Sequence, residues 1–166
     1  MSNVTRRSTS EELADPKTVT REDVLSRLTE WRGRVHALYD IIEQTLQGHG
    51  FKFDREGKHT ISDSLVQVAG VREDEPPKID ILRIVRPDGT NAAIFFPRGP
   101  WVIGANGRID LRLSPSAGRS HAFMLMDQSG PFSSPFWVRM PIGSPFEREE
   151  FSPSWLLSKI DDQRSF

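Results

Sequence analysis

Apolar residues at Val24, Leu28, Trp31, Val35, Leu38 and Ile42 recur alternately four and three positions apart. Leu25, Ile41 and Leu46 widen that stripe, and Tyr39 sits at its border. The period is that of an α-helix with one apolar side. Thr20 is placed to cap it, Glu22 and Asp23 suit the positive end of its dipole, and Gly48-His49-Gly50 stops it. About 28 residues rising about 1.5 Å each make a rod about 40 Å long. Gly33 runs against helix propensity and points to a close neighbour there.

Beyond the rod the period falls to two. Ile109, Leu111 and Leu113 alternate with Arg108, Asp110 and Arg112, as in a strand with one dry and one wet side. Asn106-Gly107, between that strand and the run 101–105, predicts a tight type I′ hairpin. Residues 78–86 and 91–96, joined by Pro87-Asp88-Gly89-Thr90, predict a second hairpin, and 121–127 and 137–140 two more strands. Phe51-Lys52-Phe53-Asp54 is a short strand, and His59-Thr60-Ile61 follows a polar turn. Residues 62–69 fit either a strand or a short helix capped by Ser62 or Asp63; their β-branched content favours strand. Segments 128–136 and 141–151 read as irregular, and Ser152-Pro153 opens a final helix with Trp155, Leu156 and Ile160 inward.

Between 78 and 140 the strands follow one another with no intervening helix, which means antiparallel pairing. The expected class is α+β. An antiparallel meander of about five to seven strands, strongly curled or a half-barrel, carries a long N-terminal helix packed on it and a short C-terminal helix. Residues 20–166 form a single domain in this reading, behind a flexible tail at 1–19 that lacks periodicity.

Composition narrows the function classes. At 36% hydrophobic and 27% charged residues the chain suits a soluble globular domain. A net charge of -1 argues against a general nucleic-acid or membrane-surface binder. With no cysteine there is no disulfide framework, thiolate ligand or thiol nucleophile, which fits a reducing cytoplasm. Charges and the absence of an apolar run near the first residues leave no secretory signal in view. No run approaches the roughly 18 apolar residues of a membrane span. Lysine occurs only at 17, 52, 58, 78 and 159, so arginine dominates the cations, as a GC-rich genome would produce. The run from Pro97 to Leu111 resembles a segment of small bacterial proteins of unknown function, which implies no activity.

Catalytic patterns are sparse. Histidines 36, 49, 59 and 121 form no His-x-His or His-x3-His pair, so neither a metal nor another cofactor is expected. Asp80, Asp110 and Asp127 all fall on expected strands and could hold Mg²⁺ for a hydrolase if they converged. A solvated strand face explains them more simply. No Gly-x-Ser-x-Gly elbow occurs, and Gly104-Ala105-Asn106-Gly107 lacks the Lys-Ser/Thr of a phosphate loop.

What remains is surface. Arg83, Arg86, Arg98, Arg108, Arg112 and Arg119 fall within 37 residues, near Phe95, Phe96 and Trp101. Arginine among aromatics suits single-stranded nucleic acid, and a basic face equally suits an acidic protein surface, including the 147–150 stretch of this chain. Phe132, Phe136 and Phe146 in Ser/Pro-rich loops either staple those loops or form an apolar patch. The candidate binding residues are therefore Arg98, Trp101, Asn106, Arg108, Arg112, Phe132 and Phe136. Leu28, Trp31, Val35, Leu38 and Ile42 are a candidate helix interface, if they do not pack across the chain's own sheet. The leading expectation is a non-enzymatic bacterial cytoplasmic protein-interaction module, of accessory or immunity type, that binds another protein or a second copy. A nucleic-acid-binding domain comes second and a metal-dependent hydrolase third.

Overall fold

The computed structural model describes residues 19–116, 118–130, 133–144 and 146–161. The expected tail, apart from Val19, lies outside them. Helix α1 (Arg21–Leu46) opens with a capping box in which the Thr20 hydroxyl accepts from the Asp23 amide and the Asp23 carboxylate accepts from the Thr20 amide. After it come β1 (Lys52–Asp54), β2 (Lys58–His59), α2 (Ser64–Val68), β3 (Ile79–Asp80) and β4 (Leu82–Val85). Strands β5 (Asn91–Gly99), β6 (Arg108–Leu113), β7 (His121–Asp127), β8 (Trp137–Pro141) and β9 (Glu149–Glu150) lead into α3 (Pro153–Ile160).

Seven strands form one antiparallel sheet in the order β1-β4-β5-β6-β7-β8-β9, and β2 pairs with β3 in a separate ribbon. The class is α+β, as the alternation of the sequence requires. The sheet is open rather than closed, with β1 and β9 at its edges. Paired residues share a face, so one side carries Leu82 with Phe95, and Ile109 with Leu125. Helix α1 lies on that inner side. Its Val24, Leu28, Trp31, Val35, Leu38 and Ile42 are all buried in a cluster with Leu82, Ile84, Phe95, Ile109, Leu111 and Leu125. Helix α3 closes the same side through Leu156, Leu157 and Ile160, with Trp155 edge-on to Phe123 and Phe151. Among the described residues no helix is long and apolar enough to cross a membrane.

Several local expectations are corrected. Residues 64–68 are helical, because the Asp63 side chain accepts from the Leu65 amide and caps the turn; Val66 alone of that helix is buried. The expected strand 78–86 is broken at Ile81, whose amide is drawn to the Gly57 carbonyl, so Leu82 and Ile84, and not Ile81, face the core. Asn106-Gly107 makes no tight hairpin: Asn106 N–H donates to the Asp127 carbonyl and Asp127 N–H to the Gly107 carbonyl, prolonging the β6–β7 ladder. The chain reverses instead between Val102 and Ala105, where Gly104 takes a φ of 80°. Gly33 has open space at its missing Cβ; the close approach is at Gly107, where a Cβ would lie 2.1 Å from the Trp31 ring. Strand β9 falls in a stretch read as irregular, being two exposed glutamates with no apolar alternation.

Candidate functional site

The face of the sheet turned away from α1 has a composition set by register. Arg83, Ile94, Arg112 and Ala122 stand side by side across β4 to β7; the next row is Phe96, Asp110, Met124 and Met140. Ile94, Phe96, Arg98, Arg112, Ala122 and Ile142 surround Asp110 in an open depression of about 310 Å³. A second hollow of about 560 Å³ shares Arg98 and runs on past Arg108 to Trp101 and Ile103. The floor is apolar, and the walls carry guanidinium groups.

Those cations are held differently from one another. Arg98 Nε donates to Asp110 Oδ2 at 2.5 Å and Arg108 Nε to Asp110 Oδ1 at 2.7 Å, so two cations share one carboxylate. Arg98 also lies over the Phe96 ring, 5.0 Å from its centroid, and the His59 ring is 4.5 Å from the same phenyl. Burial, helped by the Arg98 charge, holds His59 below the ordinary histidine value. Arg83 and Arg112 are exposed and have no ion-pair partner among the described residues.

A second polar cluster lies on the helix side. Arg34 Nη1 donates to Asp127 Oδ2 at 2.8 Å and to the Ser129 hydroxyl at 2.9 Å, while Nη2 reaches the Ser133 carbonyl and Nε the Glu30 carboxylate. The other oxygen of Asp127 accepts the amides of Ser129 and Phe136. Asp127 is wholly buried, so it is no solvated strand-face acid. Asn106 belongs here as well: it accepts from Arg27, and its side-chain amide donates to the Ser129 carbonyl. This cluster straps the segment after β7 to α1.

The expected binding residues therefore separate. Arg98, Arg108 and Arg112 share the outer face. Trp101 lies beside them but is half-buried against the core, and Asn106 is absorbed by the helix-side cluster. Phe136 is 48% exposed and its amide is tied to Asp127; Phe132 lies outside the described residues. The helix-interface residues Leu28, Trp31, Val35, Leu38 and Ile42 are at most 5% exposed, so the rod pairs with its own sheet. Arg86 leaves the surface group too, buried and donating to the carbonyls of Asn91 and Ser114. Sequence reasoning missed Ile94, Ala122 and Ile142 as one floor; the alternation in 91–96 and 121–127 carried the signal, but only strand pairing joins them.

The three aspartates do not converge. Asp80 pairs with Lys58 and lies beside His36, Asp110 holds Arg98 and Arg108, and Asp127 holds Arg34. Among the described residues no group of three or more His, Asp or Glu side chains is arranged to hold a metal ion.

Fold and site together define a two-layer α+β protein with helices on one sheet face and an open, arginine-bearing apolar depression on the other. No family model matches the chain, and neither a curated protein nor a solved structure is significantly similar to it.

Proposed function

We propose that this chain is a non-enzymatic protein-interaction module that docks its partner on the outer face of the sheet. The observation that supports the reading is the open depression around Ile94, Phe96, Ala122 and Ile142, rimmed by Arg98 and Arg112. An apolar centre with a charged rim is the usual anatomy of a protein interface, and arginine is among its enriched residues. A cysteine-free, arginine-rich chain accords with a bacterial cytoplasmic setting. Nucleic acid has weaker support, because Trp101 is packed on the core and Asp110 places a carboxylate amid the cations.

A photo-crosslinking amino acid at Ala122, compared with one at exposed Thr29 on α1, tests this in native lysate followed by reconstitution with the purified, identified partner. Crosslinks are expected from position 122 and not 29, and are expected to disappear in the Arg98→Glu/Arg112→Glu double variant. Equal crosslinking from both positions, or indifference to the double variant, overturns the reading.

A further inference from the structure

We infer that the occupant of the outer depression is a second copy of this chain, which presents Phe146 from its own β8–β9 connection. The step rests on the docking-face reading and narrows it to one partner. Phe146 is 96% exposed, which also means that it does not fill the depression of its own chain. A solvent-facing phenyl and a rimmed apolar hollow on the same chain are a mismatch that association removes.

Position and charge both favour a symmetric pair. Ile142 lines the depression and begins the connection that carries Phe146, so the donor loop and the receiving hollow are neighbours on one molecule. In the inferred pair a two-fold axis sets each loop over the other's hollow, a self-complementary arrangement. Glu147 and Glu150 follow Phe146 in the same connection and strand, are exposed, and have no ion-pair partner among the described residues; Glu147 shares a hollow with Lys159, exposed Arg148 offsets one of the two charges, and Glu149 is engaged by Arg139. The face they would meet carries Arg83 and Arg112, which are equally unpaired. A patch centred on one ring and a few ion pairs lies at the small end of specific interfaces. Dimers are therefore expected at protein concentrations on the order of 10–100 µM.

Sedimentation velocity on the full chain over that range tests it, with Phe146→Ser, Arg112→Glu and Glu147→Arg compared with wild type. All three positions are exposed, and a thermal melt checks that each variant is folded. Wild type is expected to shift from monomer to dimer with concentration, and each variant to raise the dissociation constant at least about tenfold. Mixing Arg112→Glu with Glu147→Arg restores both charge contacts in the heterodimer alone, so the mixture is expected to associate where neither variant does. A wild type that stays monomeric, a dimer indifferent to Phe146→Ser and Arg112→Glu, or a mixture that fails to associate overturns the second-copy inference. If such a monomer still crosslinks a different protein from Ala122, the docking-face reading stands without it. If crosslinking ignores the face variants, that reading falls as well.

Discussion

Two arginine–aspartate sites occupy opposite faces of the same sheet and are built to different ends. Arg34 and Asp127, at 8% and 0% side-chain exposure, meet under α1, and each carboxylate oxygen and guanidinium nitrogen has a partner. Arg98, Asp110 and Arg108, at 57%, 18% and 33%, meet in water on the outer face, with two cations on one acid. In a dry site every charge must be matched, because an unmatched one has nowhere to be solvated. At a wet surface a surplus cation is tolerated and stays available to another molecule. The first arrangement is a strap; under the docking-face proposal the second is an unfinished contact.

The sharpest way to break that comparison is Asp127→Ala. It removes one of the two carboxylates that hold buried Arg34 and the acceptor of two amides, so a loss of about 3–5 kcal/mol is expected from urea denaturation. A loss below about 1 kcal/mol would make the two sites equivalent, since that is the range of an exposed pair. Next in size is Gly107→Ala, which tests the packing beneath the strap. Its methyl carbon would sit 2.1 Å from the Trp31 ring at a φ of 154°, where side chains are rare. Overpacking of this kind costs about 1–3 kcal/mol. Gly104→Ala, at a φ of 80° with nothing within 4 Å, isolates the backbone cost alone.

These sites also show where the sequence is readable. The rod, the alternation of Ile109, Leu111 and Leu113, and the Ser152-Pro153 helix start were all legible, because each depends on near neighbours in the chain. The strap was not: Arg34 and Asp127 are 93 residues apart, and an acid at a strand end looks the same whether wet or buried. Asn106-Gly107 misled for a related reason. Its intrinsic turn preference was outweighed by hydrogen bonds to Asp127 and by the Trp31 ring lying against Gly107. On the outer face the arginines were visible individually, but the apolar floor needed the register of β5, β6 and β7 before its members could be seen as neighbours.

Acid sharpens the comparison from the helix side. His36 Nε2 accepts from the Asp80 amide at 3.1 Å, which requires the neutral ring. Burial first, then Arg32, Arg55 and Lys58, hold its pKa below the ordinary 6.5, against an opposing pull from Asp80. The unfolded chain therefore binds more protons than the folded one just below pH 6.5. The stability His36 contributes is whole above that value and is lost as pH falls through it toward the lowered folded value. Denaturation midpoints between pH 7.5 and 5 are expected to fall less in His36→Gln, whose carbonyl can still accept the Asp80 amide. Parallel profiles for variant and wild type would remove His36 from the acid response.

The smallest expected change in stability separates the two sites most cleanly. Asp110→Asn removes a carboxylate that two exposed guanidinium groups share, so folding should change by less than about 1 kcal/mol. The same substitution frees Arg98 and Arg108 and raises the positive charge of the outer face by one. If that face meets Glu147 and Glu150 of another copy, self-association should tighten severalfold at low salt, and the gain should fade as ionic strength rises. Sedimentation and urea denaturation on one preparation read both quantities. A stability loss as large as that of Asp127→Ala would make Asp110 a second strap, whereas tighter association at unchanged stability is what an unfinished contact requires.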